Sequence, residues 1–88
     1  MTIAIVGSRD GLSWLAVKRK ITELLNRADV HCVVSGGARG VDSLAYEMAV
    51  AHGKSTITFN AEWEKYGKSA GFRRNADIVS VADEVHAF

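Results

Sequence analysis

The chain has no proline and a single cysteine among its 88 residues, and its net charge is only +1, with 11 lysines and arginines against 10 aspartates and glutamates. Cys32 therefore cannot close an internal disulfide. Inside an apolar run it reads as a small core hydrophobe rather than a reactive thiol. The near-neutral balance argues against a broadly cationic nucleic-acid surface and leaves room only for a local cluster. No apolar stretch approaches the roughly 20 residues that span a bilayer, and no signal-peptide pattern opens the chain. A cytoplasmic protein with no membrane partner is expected. The three histidines, His31, His52 and His86, lack metal-ligand spacing and form no ligand set with Cys32, so neither a metal nor a cofactor is expected. No Ser-His-Asp arrangement can be assigned to Ser8, Ser35 or Ser43. Linkers, repeats and low-complexity segments are missing too, which leaves a single domain over residues 1–88.

What the chain does contain is 48% hydrophobic and 24% charged residues, the balance of a globular protein. Thr2 to Val6 is a β-branched run without polar alternation, as in a strand covered on both faces. Trp14, Val17, Ile21, Leu24, Leu25 and Ala28 recur at helical spacing, with Ser13 placed as N-cap. His31 to Val34 predicts a second strand. Val41 to His52 predicts a second helix, with Gly53 as its C′ terminator. Thr56 to Phe59 predicts a third strand, and the polar, aromatic stretch Asn60 to Gly71 a loop. Phe72, Ala76 and Val79 predict a helix from Phe72 to Ala82, and Glu84 to Phe88 a last strand. Alternating strands and helices imply parallel pairing through right-handed crossovers. The expected fold class is α/β, a three-layer Rossmann-like sandwich around a four-stranded, mostly parallel sheet. Strand order 3-2-1-4 is favoured because it sets the two glycine turns side by side.

Those turns carry the strongest functional signal. Ser35-Gly36-Gly37-Ala38-Arg39-Gly40-Val41-Asp42-Ser43 joins the second strand to the second helix, and Gly7-Ser8-Arg9-Asp10-Gly11 follows the first strand. Glycines at a strand-to-helix junction bare backbone N–H groups beside a positively polarised helix N-terminus, which suits phosphate. The competing explanation is a tight turn and nothing more, although one glycine usually suffices for that. Neither turn is a Walker loop or a spaced G-x-G-x-x-G. Ser8 and Arg9 are good phosphate contacts, or Arg9 pairs with a surface carboxylate. Asp42 accepts from a ribose hydroxyl or a basic partner, or simply complements the helix dipole. A third cluster runs from Trp63 to Asn75. Lys68, Arg73 and Arg74 there could close over a polyanion while Trp63 or Tyr66 stacks on a base, or the loop is solvated and its aromatics cap the core.

In three blocks the sequence resembles the SLOG superfamily of Rossmann-like nucleotide-binding domains, in its YspA/YpsA-related branch. The blocks are Ile5 to Asp10, Val33 to Asp42, and Trp63 to Gly71 followed by Arg74-Asn75. The third discriminates most, because the first two are also similar to DprA, a relative that binds single-stranded DNA. The resemblance implies a nucleotide or nucleotide-derived ligand, sensed or processed in stress, phage-defence or mobile-element settings. It implies a site lined by Gly7, Ser8, Arg9, Gly36, Gly37, Ala38, Arg39, Gly40 and Asp42, completed by Lys68, Arg74 and Asn75. The LOG phosphoribohydrolases of the wider group carry P-G-G-x-G-T-x-x-E. Here the turn has no proline, is one residue longer, has Val41 where threonine belongs, and sets Glu47 out of register, which disfavours that catalysis. Relatives continue past the strand matching Glu84 to Phe88, which implies a shallow site or one shared across a homodimer.

The leading expectation is thus a domain that binds a nucleotide-derived small molecule as a sensor or accessory module. The alternatives are single-stranded DNA binding in the manner of DprA, and an N-glycosidase of nucleoside monophosphates using Asp42 or Glu47.

Overall fold

A computed structural model describes residues 1–7, 13–37 and 40–88. The order of elements is β1 (Thr2–Val6), α1 (Trp14–Leu25), β2 (Cys32–Ser35), α2 (Val41–Ala51), β3 (Ser55–Thr58), α3 (Trp63–Tyr66), a 3₁₀ turn (Gly67–Ser69), α4 (Ala70–Val81) and β4 (Glu84–Ala87). The four strands pair in parallel in the order β3-β2-β1-β4. That is the expected α/β architecture and strand order. Strands β2 and β3 are each displaced by one residue from the sequence expectation.

The period-2 geometry of β1 divides the core. Ile3 and Ile5 point to one face of the sheet, where Val17, Ile21, Leu24 and Leu25 of α1 and Val41, Ala45 and Ala49 of α2 bury them. Ala4 points to the other face and packs with Val34 beneath Ile78 of α4. All three central residues of β1 are fully buried, as a doubly covered strand requires. Alanines at positions 45 and 49 give α2 a low-profile inner stripe. Ser13 caps α1 by accepting from the Ala16 amide at 3.5 Å. Gly53, with φ +71°, ends α2 as expected, its amide bonded to the Val50 carbonyl at 3.0 Å.

The α4 side departs from expectation. Residues 63–66 and 67–69 are short helical turns rather than loop, and α4 begins at Ala70. Its inner face is formed by Ala70 and Ile78, whereas Phe72 and Val79 are 80% and 61% exposed. The cause is Arg74, which lies four residues from both Ala70 and Ile78 and so shares their face. A cation turned inward breaks the apolar stripe that would have marked that face. The helix also covers only the centre of the sheet. Val85, Ala4, Val34 and Ile57 form one row across the four strands, and the outer two stay exposed. Trp14 is likewise partly exposed, and Cys32 is half-buried rather than in the core.

An ionic cluster ties the opposite edge of the sheet, where the strands begin. Arg27 donates to Glu84 at 2.8 and 3.0 Å and to Asp29 at 2.9 and 3.1 Å. His86 Nε2 lies 2.9 Å from the same Glu84 oxygen. Arg27 first, and then His86, hold the Glu84 carboxyl down at about 2, against an ordinary 4.5. A carboxylate with a lowered folded-state pKa stabilises fully above its unfolded value, and that contribution is lost as pH falls through the folded one. Urea unfolding should therefore show Glu84→Gln less stable than the parent at pH 7, with the gap closing as pH falls from about 4.5 to 2. A gap independent of pH would contradict this assignment.

Candidate functional site

Parallel strands bring their carboxyl ends to one edge, and there the three sequence blocks meet. β2 ends at Ser35, after which the chain bends through Gly36 and Gly37, the latter with φ +70°. Gly40, with φ +82°, is the N-cap of α2 and supplies no side-chain cap. Asp42 follows in the first turn of that helix and is only 4% exposed. Gly7, at the end of β1, is packed closely: a Cβ there would lie 2.8 Å from the Phe88 carbonyl oxygen and 3.0 Å from Val41.

The inward Arg74 links the third block to the second. Its Nη1 donates to the Gly36 carbonyl at 2.6 Å, and its Nε donates to Asn75 Oδ1 at 2.9 Å. The guanidinium occupies the space a side chain at position 36 would need, since a Cβ there would come 2.6 Å from Nη1 and 2.9 Å from Asp42 Oδ2. The carboxamide of Asn60 fills the corresponding space over Gly37. Both glycines are thus demanded by close neighbours, which a simple turn does not need.

Two clefts flank this ridge. One, of about 460 Å³, is lined by Thr58, Phe59, Asn60, Glu62, Tyr66, Ala70, Arg73, Arg74 and Asp77. The other, of about 350 Å³, is lined by Ser35, Gly37, Asp42, Ser43, Tyr46, Glu47, Thr58 and Asn60. Thr58 and Asn60 belong to both. In the larger cleft Arg73 stacks over the Tyr66 ring, 4.1 Å from its centroid, and Lys65 lies 5.1 Å from the same centroid. Arg73 Nε also donates to Ser69 Oγ at 3.3 Å. Two guanidiniums there face two carboxylates. The smaller cleft holds two carboxylates and no cation among the described residues.

Of the residues singled out from sequence, Gly36, Gly37, Gly40, Asp42, Arg74 and Asn75 are brought to this edge, and Gly7 lies at the end of the neighbouring strand. Lys68 sits exposed on the 3₁₀ turn and lines neither cleft. Ser8, Arg9, Ala38 and Arg39 lie outside the described residues. Asp42 and Glu47, the two carboxylates weighed for glycosidase chemistry, line the same cleft. Sequence reasoning missed Thr58, Asn60, Tyr46 and Asp77. Thr58 ends the third strand and Asn60 follows two residues later, so the rule that ligands sit at strand carboxyl ends could have found them. Among the described residues no group of three or more histidine, cysteine or acidic side chains is placed to hold a metal. No described helix is long and apolar enough to cross a membrane.

A family model described as DNA recombination-mediator protein A matches residues 1–70, which take in both glycine turns and the start of the third block. No curated protein and no solved structure matches the chain.

Proposed function

The chain belongs to the DNA recombination-mediator protein A family, of the SLOG type, and on that premise we propose that it binds a nucleotide or nucleotide-derived small molecule at the carboxyl edge of the sheet, as a sensor or accessory domain. The observation that carries this is the convergence of the second and third blocks on one ridge beside Gly7, with Gly36 bonded to Arg74 and Gly37 against Asn60, between clefts of about 460 and 350 Å³. Small-molecule sites run from about 300 to 1,000 Å³. The ridge supplies a phosphate with the α2 N-terminus and, in this reading, with Ser8, Arg9, Ala38 and Arg39 as well. Within the family we assign the chain to the YspA/YpsA-related branch, on the strength of the Trp63 to Gly71 block.

A panel of nucleotides, cyclic dinucleotides and ADP-ribose derivatives should raise the melting temperature. A ligand at 100 times its Kd adds about 2.7 kcal/mol to stability. Arg9→Ala should abolish the shift. A panel with no stabilising member would refute the proposal.

The family match favours one second reading, binding of single-stranded DNA. Lys68 and Arg73, both exposed, would carry it together with Arg74. Each phosphate contact on a single strand contributes about 0.7 to the slope of log affinity against log salt. Lys68→Ala should make that slope shallower by about this amount. No binding at low salt would eliminate this reading and leave the small-molecule one standing.

A further inference from the structure

We infer that the larger cleft receives the nucleobase and that the protein prefers guanine nucleotides, with Asp77 reading the base. This rests on the nucleotide reading above and adds a base preference to it.

Asp77 follows Arg73 by four residues and Arg74 by three, the two spacings at which a helix forms ion pairs. It pairs with neither. Arg73 turns back toward the start of α4, where it stacks on Tyr66 and donates to Ser69. Arg74 turns inward and donates to Gly36 and Asn75. The Asp77 carboxylate thus lines the cleft with no hydrogen-bond or ion-pair partner among the described residues. Both guanidiniums, anchored through other atoms, keep Nη nitrogens unspent among the same residues.

Fixed donors and an acceptor-only carboxylate therefore surround one space. Guanine is the base that answers both. Its O6 and N7 are adjacent acceptors, which a guanidinium bonds as a pair. Its N1–H and N2 amino group are adjacent donors, which a carboxylate accepts as a pair. Adenine sets the N1 lone pair beside the amino donor of that edge, so a carboxylate there is repelled. Cytosine has the same fault, and uracil offers a single N–H between two carbonyls. Arg73, held over Tyr66, also gives a base a cation to stack on. Thr58 and Asn60 line both clefts, so a ligand with its base in the larger one crosses them to set its phosphate at the α2 N-terminus.

The test is calorimetric titration of the whole chain with matched guanine and adenine pairs: the 5′-monophosphates, the 5′-diphosphates and the cyclic dinucleotides. In each pair that binds, the guanine member should be tighter by about ten-fold or more, the weight of a hydrogen bond to a charged group. Inosine 5′-monophosphate lacks only the N2 amino group and should bind about ten-fold more weakly than its guanine counterpart. Asp77→Asn turns the acceptor pair into one donor and one acceptor, the complement of adenine. It should weaken the guanine member about ten-fold or more and leave the adenine member no weaker. Asp77 is exposed, so circular dichroism should show the variant folded. Equal affinities within the pairs, an adenine preference, or a variant that lowers both members alike overturns the base assignment while sparing the nucleotide reading. No binding by any of these ligands or by ADP-ribose overturns both.

Discussion

Ile78→Ala is expected to destabilise the domain by about 2–5 kcal/mol, while Phe72→Ala, on the same helix, should stay within about 0.5 kcal/mol. Ile78 is 2% exposed and is the only large buried side chain that α4 sets against the sheet, where it covers Ala4 and Val34. Val6, Phe59 and Ala82 pack against the same cluster, so truncation removes contacts on several sides at once. Phe72, in contrast, is 80% exposed, so its removal takes almost no apolar surface from the core. In a domain of this size each kcal/mol moves the melting temperature by about 4–8 °C. Thermal melts should therefore separate the two variants by about 10 °C or more. Equal losses would mean that α4 is rotated about its axis relative to this structure.

Gly37→Val carries the second large effect, and it differs in kind from Gly36→Ala next to it. Position 37 has φ +70°, which a β-branched residue resists, and a Cβ there would overlap the Asn60 carboxamide oxygen. Strain and overpacking each cost about 1–3 kcal/mol, so a large fall in melting temperature is expected. Asn60 must also leave the wall shared by the two clefts, and ligand-induced stabilisation should vanish with it. At position 36 the backbone is ordinary and the nearest obstacle is the far end of Arg74, 2.6 Å from a Cβ. That side chain can swing aside, which sacrifices one part-buried hydrogen bond, while the Asp42 carboxylate, 2.9 Å from the Cβ, has to shift slightly. The ligand-free melting temperatures should fall in the order parent, Gly36→Ala, Gly37→Val. Pairing Gly37→Ala with Asn60→Gly should recover the steric share of the loss and leave the strain. Reversal of that order would contradict the turn geometry.

The architecture could be read from the chain because alternation, burial and caps agreed. The unbroken apolar run of β1, the stripe of α1, Ser13 and Gly53 all specify one answer, whereas the strand order was favoured by adjacency of the two turns without following from the sequence. The region from Asn60 to Val81 was harder. The helical turns at 63–69 are too short to show a period and are interrupted by Gly67. The inner face of α4 was hidden because a cation occupies its middle. The same residue explains why the site was only partly legible. Gly36, Gly37 and Arg74 were each marked by motif, yet their contact is a tertiary fact about two elements 38 residues apart. Asn60 carries no motif at all and matters only because Gly37 leaves room for it.

The bond from Arg74 to the Gly36 carbonyl also limits how this chain can drift in evolution. A side chain appearing at position 36 evicts the guanidinium, and a shorter residue at 74 leaves only Asp42 crowding position 36. Substitutions at the two positions are thus not independent events, whereas Gly37 stays constrained by its φ of +70° whatever stands at position 60. A neutral path between this chain and a relative with a different turn therefore shortens residue 74 before position 36 gains a side chain, and reshapes the backbone at position 37.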